Sequence, residues 1–135
     1  MAASVAFKWT QPGAGESGAG AAIAILQEHL DARVLVHVPS LLFYEVANGL
    51  LLGRARPAIG AIEQALSWLF GLSLQIVPPD PDGIVRAARI SRDLGLTVYD
   101  ATYLALAGSL DCGFVTADRR LARRAVRVRG VRLVE

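Results

Sequence analysis

The sequence predicts an α/β protein with a mostly parallel sheet that is covered by helices on both faces. Short β-rich runs alternate along the chain with longer runs of helical periodicity, and turn residues separate them. The run VLVHV at 34–38 is typical of a strand buried on both faces. Helices placed between such strands imply crossover connections, and crossover connections join parallel strands. The pattern therefore places the chain in the α/β class.

Capping residues and chain breakers set the boundaries of the predicted elements. Asp80 and Pro81 supply an N-cap and a first-turn proline, Gly95 ends the same helix, and Thr97 caps the next one. The predicted helices cover residues 17–30, 40–52, 56–70, 81–95 and 97–110, and a last, basic helix begins at Asp118. The predicted strands cover residues 34–38, 72–77, 113–116 and 131–134.

Length and composition indicate one globular domain over residues 1–135. The chain is 53% apolar and 19% charged, which excludes a disordered or collagen-like protein. Its one cysteine, Cys112, has no partner for an internal disulfide, so we expect a cytoplasmic protein. The apolar run 41–52 is too short for a membrane span, which takes about 18 residues, so we expect no membrane association.

The net charge of +2 is unevenly distributed. Residues 119–134 contain seven arginines and no acid, whereas the first 118 residues carry a net charge of −4. The arginines are Arg119, Arg120, Arg123, Arg124, Arg127, Arg129 and Arg132. Such a basic end suits a polyanion such as a nucleic-acid backbone, and it equally suits a solvated helix face. The sequence leaves both interpretations open.

Three acidic residues stand where the local element does not require an acid. Glu45 and Asn48, at i and i+3, form a narrow polar stripe on a helix that is apolar nearly all round. Asp100 lies three residues after Thr97, a spacing that resembles a capping box. Asp118 comes just after the predicted strand GFVT. Each acid also has a structural explanation: a solvent-facing helix edge for Glu45, and helix capping for the other two.

Taken together, the three acids predict a metal site. Their elements can direct Glu45, Asp100 and Asp118 toward the same sheet edge. Clustered carboxylates repel one another unless a cation neutralises them, and their hard oxygens suit Mg²⁺ or Mn²⁺. Such an ion polarises a phosphoryl oxygen and activates water, which is the chemistry of metal-assisted phosphodiester cleavage. The arginine-rich end would then hold the nucleic-acid backbone.

Four segments of the chain carry a further signal. They are SVAFKW at 4–9, PSLLFYEVANGL at 39–50, LGLTVYDATYLALA at 94–107 and FVTADRRLAR at 114–123. In this order they closely resemble a PIN domain of the VapC toxin type. The resemblance implies a three-layer α/β/α sandwich and Mg²⁺- or Mn²⁺-dependent endoribonuclease activity on RNA. It also implies a homodimer and inhibition by a VapB-type antitoxin.

The resemblance also assigns roles to single residues. It implies that Glu45, Asp100 and Asp118 are the metal-binding acids of the catalytic site, and that Thr116 is the hydroxyl that often accompanies the last of them. Asn48 would at most support Glu45, and a capped or solvated helix amide is the alternative.

One position departs from the family pattern. The pattern has a strand that ends in an Asp where this chain has Ala2, with Met1 ahead of it. The sequence therefore predicts that the first strand is missing or truncated and that the site lacks one acid, unless the true start of the protein lies upstream of Met1 and supplies both. The alternative function is a catalytically impaired PIN-fold module that binds an antitoxin or RNA without cleavage.

Other residues of types that can bind ligands or react are explained more simply by structural roles. Residues 13–18 spell the glycine pattern of dinucleotide-binding sites, but no adequate strand leads into it, so a loop is predicted. His37 is predicted to be a satisfied strand residue, and Cys112 a small buried one. Tyr99 and Tyr103, at i and i+4, could stack on bases, yet they fit helix packing at least as well.

Overall fold

The computed structural model describes residues 1–11, 17–53 and 56–135 and confirms the α/β class. The elements in chain order are α1 (Ala3–Thr10), α2 (Ala19–Leu30), β1 (His37–Pro39), α3 (Leu41–Leu52), α4 (Ile59–Gly71), β2 (Gln75–Val77), α5 (Pro81–Leu94), α6 (Val98–Ser109), β3 (Phe114–Thr116), α7 (Arg119–Arg124) and β4 (Val131–Leu133). Most of the predicted glycine loop, including Gly13 and Gly15, lies outside the described residues.

The capping signals of the sequence mark real helix boundaries. Thr97 Oγ1 accepts a hydrogen bond from the backbone N–H of Asp100 at 3.0 Å, and Asp80 Oδ1 accepts one from Gly83 at 2.9 Å. Gly95 ends α5 in the left-handed conformation, with φ of 64°, which a residue without Cβ adopts without strain. The predicted starts and ends of α5 and α6 are therefore confirmed to within a residue.

The strands formed by the described residues make two separate parallel pairs. β1 pairs with β2 and β3 pairs with β4, so the predicted parallel pairing is confirmed. The strands are shorter than predicted, because β1 begins at His37 and not at residue 34. Apolar, β-branched side chains predict a buried extended segment, whereas a strand also requires backbone partners.

Met1 and Ala2 bridge the two strand pairs. The α-amino group of Met1 donates a hydrogen bond to the carbonyl oxygen of His37 in β1 at 3.2 Å. The N–H of Ala2 donates to the carbonyl oxygen of Val115 in β3 at 2.9 Å. A cavity of about 470 Å³, lined by Met1 and by residues of both pairs, opens beside this bridge. Within the described ranges no strand precedes α1.

The buried amino group makes stability depend on pH. Burial lowers the pKa of the Met1 α-ammonium from its ordinary value of 8.0 to about 6. Between these two values the unfolded chain holds a proton that the folded chain releases, so stability rises with pH across this window. We expect the free energy of unfolding of the 135-residue chain to rise by about 1 to 2 kcal/mol from pH 6 to pH 8.

Urea denaturation at several pH values between 5.5 and 8.5 measures this rise. The matched control is the same chain with an acetylated N-terminus, which carries no titrating amine. A rise of equal size in both chains would assign the effect to another group.

Helices cover both sides of the strands in three layers. α6 packs against both β1 and β3, and α5 packs on α6. On the other side α1 contacts β3 and α3 contacts β1, while α2 packs on α1 and α4 on α3. The largest fully buried side chains belong to Val5, Val38, Leu42, Val46, Leu69, Phe114 and Thr116. None of the helices formed by the described residues is long and apolar enough to cross a membrane.

Candidate active site

Glu45 lies in the middle of α3, where it is half-buried. Its Oε2 accepts a hydrogen bond from the phenol O–H of Tyr103 on α6. Burial raises the pKa of the Glu45 carboxyl above its usual range, the hydrogen bond from Tyr103 opposes this shift, and the negative charge of Asp100 adds to it. Asn48, the other member of the polar stripe, is exposed. The surroundings of Glu45 therefore disfavour an uncompensated negative charge.

Asp100 stands in the first turn of α6. Its backbone N–H is capped by Thr97, as the sequence predicts, but its carboxylate takes no part in the cap. Instead, Oδ2 of Asp100 accepts a hydrogen bond from Nη2 of Arg120 at 3.3 Å. The cap therefore involves only the backbone N–H of Asp100. The carboxylate of Asp100 is not needed to start α6.

Asp118 is the N-cap of α7. Its Oδ1 accepts hydrogen bonds from the backbone N–H groups of Arg120 at 2.7 Å and Leu121 at 3.1 Å. Its Oδ2 makes no hydrogen bond to any part of the chain that the structure describes. One carboxylate oxygen thus stabilises the helix start, and the other is left for a further interaction.

Arg120 connects two of the three acids. Its backbone N–H binds Asp118, and its guanidinium binds Asp100. Asp100 in turn lies near enough to Glu45 for its charge to raise the pKa of Glu45. The structure therefore brings Glu45 and Asp100 together and links Asp100 to Asp118 through Arg120. Among the described residues, no three His, Cys, Asp or Glu side chains approach closely enough to share a metal ion.

Thr116 is fully buried at the end of β3. Its Oγ1 accepts a hydrogen bond from the N–H of Asp118 at 3.0 Å and lies 3.4 Å from the hydroxyl of Ser4. Ser4 Oγ also accepts a hydrogen bond from the N–H of Ala117 at 3.0 Å. These bonds shape the turn that carries Asp118 from β3 into α7. The catalytic assignment of Thr116 remains a prediction.

Tyr103 and Arg120 contact the predicted acids, although neither is among the site residues predicted from the sequence. A signal for Tyr103 is present, because it lies three residues after Asp100 and so shares a helix face with it. Arg120 carries no such signal. It is one of seven arginines in a short stretch, and nothing in the sequence separates it from the others.

Two further residues with reactive side chains, His29 and Cys112, lie outside the candidate site. His29 is buried, its Nε2 lies 2.8 Å from the carbonyl oxygen of Leu72, and its Nδ1 accepts a hydrogen bond from the backbone N–H of Val36 at 3.4 Å, so both ring nitrogens are engaged within the fold. Cys112 is exposed, and the prediction of a buried cysteine is wrong. The residue lies in the connection between α6 and β3, outside the packed part of either element.

Comparison with known proteins identifies the fold family. The sequence matches the PIN domain over residues 3–127. The chain belongs to the PIN domain family. Two relatives of this PIN domain are the VapC ribonuclease Mb0985 of Mycobacterium bovis and ribonuclease VapC9 of Mycobacterium tuberculosis. Each is 35% identical over 109 residues, which cover 77% of this chain and 85% of the relative. The family resemblance inferred from four segments is confirmed.

Proposed function

We propose that this PIN domain is a metal-dependent endoribonuclease of the VapC toxin type that cleaves RNA phosphodiester bonds. The observation that carries the proposal is the approach of Glu45 to Asp100 at the edge where Asp118 begins α7. A half-buried acid whose pKa is raised by burial and by the negative charge of a second acid is typical of a site that binds a cation. The proposal is supported by relatives whose names describe them as ribonucleases.

The metal would be Mg²⁺ or Mn²⁺, bound by Glu45 and Asp100, and Asp118 would reach it through a metal-bound water, because the three carboxylates do not approach closely enough to share an ion directly. Mg²⁺ is usually bound through one or two carboxylates and keeps several waters, so the paired acids of this chain suit it without a closed cage of ligands. When bound, such an ion polarises a phosphoryl oxygen and lowers the pKa of water. Asp118 can accept a hydrogen bond from such a water without losing its cap, because only Oδ1 is used at the start of α7.

The basic end of the chain would hold the RNA backbone. Arg119 and Arg120 lie in the first turn of α7. The guanidinium of Arg120 binds Asp100 and is therefore next to the proposed cleavage site, whereas that of Arg119 pairs with Glu135 at 3.4 Å. Phosphate oxygens accept hydrogen bonds from guanidinium groups, and these contacts position a nucleic acid without reading its sequence. In this scheme the buried hydroxyl of Thr116 acts through the turn that carries Asp118.

The proposed function also implies partners and a location for this PIN domain. A VapB-type antitoxin would inhibit the enzyme, and the PIN domain would act as a homodimer in the cytoplasm, with residues 1–135 forming one domain. These proposals follow from the likeness to VapC ribonucleases.

Incubation of the purified chain with end-labelled single-stranded RNA tests the proposed activity. We expect cleavage products in Mg²⁺ or Mn²⁺ and complete loss of cleavage in EDTA, because carboxylates alone supply no activated water. Replacement of the RNA by DNA of the same sequence is the control for substrate class. Cleavage that persists in EDTA would contradict the proposed metal chemistry.

Ala2 supports a second candidate function, an impaired module that binds RNA or an antitoxin without cleavage. Its side chain is a methyl group, it is 4% exposed, and it lies between β1 and β3 where the family pattern has an Asp. Loss of one metal-binding carboxylate weakens metal affinity. Retention of RNA in a filter-binding assay with no product after prolonged incubation in Mn²⁺ would favour this candidate.

A further inference from the structure

Tyr103 is a buried polar side chain at the centre of the candidate site. It is 3% exposed, and its ring packs against Phe114, with the ring centroids 6.2 Å apart. A tyrosine that only filled the core would need a partner for its hydroxyl, and any carbonyl oxygen would serve. Here the partner is the carboxylate of Glu45, from a different helix.

The hydroxyl of Tyr103 restrains one oxygen of Glu45. It donates its proton to Oε2 of Glu45 from a ring that is buried and packed against Phe114. A donor on a ring that is fixed by packing restricts the orientation of the carboxylate that it binds. Glu45 therefore keeps one oxygen on Tyr103, and its other oxygen, Oε1, is held in a defined position.

The same helix carries Tyr103 and Asp100. The two residues are three apart on α6, so one rigid element presents the acid and the group that holds the neighbouring acid. Any displacement of α6 moves both together. The separation of the Glu45 and Asp100 carboxylates is thus set by the geometry of one helix and one hydrogen bond, not by the flexible glutamate side chain alone.

We propose that Tyr103 is a positioning residue, which holds the Glu45 carboxylate in register with Asp100 so that both acids can bind one divalent cation. The inference rests on the proposed metal-dependent function and deepens it. Tyr103 does not touch the metal or RNA in this scheme, and it acts through Glu45. Groups that orient a metal-binding carboxylate are typically worth 10- to 100-fold in metal affinity.

The first test compares Tyr103→Phe with Tyr99→Phe. Both changes remove one hydroxyl from α6 and keep the ring, but Tyr99 is 64% exposed and makes no hydrogen bond to Glu45. Mn²⁺ binding is measured on the full chain without RNA, by electron paramagnetic resonance of the free ion. We expect Tyr103→Phe to weaken binding by about tenfold or more and Tyr99→Phe to leave it within about twofold.

A double-mutant cycle separates positioning from folding. If Tyr103 acts through Glu45, Glu45→Gln and the double variant Glu45→Gln/Tyr103→Phe bind Mn²⁺ equally weakly. In RNA cleavage, Tyr103→Phe should lower kcat and leave KM for RNA unchanged. A variant that loses thermal stability but binds Mn²⁺ like the native chain would overturn the inference, because Tyr103 would then be a core residue only.

A measurement on the native sequence covers the case in which Tyr103→Phe does not fold. The chain has three tyrosines, so labelling with 3-fluorotyrosine gives three ¹⁹F signals, which Tyr44→Phe and Tyr99→Phe assign by elimination. We expect Mg²⁺ to shift the Tyr103 signal most. If the native chain binds Mg²⁺ but the Tyr103 signal does not move at saturation, the positioning role of Tyr103 is wrong and the proposed function stands. If the native chain binds neither Mg²⁺ nor Mn²⁺, both are wrong.

Discussion

Replacement of Asp100 by Asn is expected to reduce RNA cleavage in Mg²⁺ by about 10²-fold to 10³-fold, the loss typical when one preorganised electrostatic group is removed from an active site. Asp100 interacts with Glu45 on one side and with Arg120 on the other, so its charge is central to the site. Asparagine has the same shape, and the cap from Thr97 to the backbone N–H of residue 100 is retained. The fold should therefore survive.

Asp93→Asn is the matched control for this prediction. It removes the same charge from an exposed aspartate on α5, whose nearest partner is Arg92 at 3.7 Å. Initial rates with labelled RNA and melting temperatures are measured for both variants. Native-like cleavage by Asp100→Asn, or an equal loss in Asp93→Asn, would remove Asp100 from the catalytic site.

Replacement of Leu42 by Ala is expected to destabilise the fold by about 3 to 5 kcal/mol. Leu42 is fully buried on α3, and its removal takes apolar area out of the core and leaves a cavity. Domains of this size are stable by about 5 to 15 kcal/mol, so the loss is a large share of the total. Urea denaturation followed by circular dichroism measures the change.

Leu52→Ala is the control on the same helix. Leu52 is 68% exposed, and its truncation should change the free energy of unfolding by no more than about 0.5 kcal/mol. Equal losses in the two variants would mean that α3 does not pack in the orientation described here.

Local rules of capping and periodicity predict the helices well. Thr97, Asp80 and Asp118 each bind the backbone N–H groups that their positions imply, and Gly95 ends α5. These features depend on residues within one turn of each other, so the sequence contains the information needed. Local rules do not predict the division of the sheet into two pairs, because strand pairing depends on which segments, distant in sequence, meet in the fold.

The candidate site, too, could be predicted only where local sequence signals exist. Asp100 and Asp118 are recognisable because each stands at the start of a helix, next to a strand or a loop. That a tyrosine of α6 reaches an acid of α3, or that one arginine of seven spans Asp100 and Asp118, depends on packing angles that no local pattern encodes. The residue types at the site could be predicted, and their contacts could not.

The bridge made by Met1 and Ala2 links folding stability to the candidate site. Glu45 lies on α3, which packs on β1, whereas Asp118 follows β3, so the acids come from opposite sides of the divided sheet. Because α6 also packs against both strand pairs, a fluctuation that breaks the bonds of Met1 and Ala2 loosens the junction of β1 and β3 while each pair keeps its own ladder. The proposed metal site needs acids from both sides of this junction, so such a loosening would weaken metal binding below the melting temperature, with the secondary structure intact.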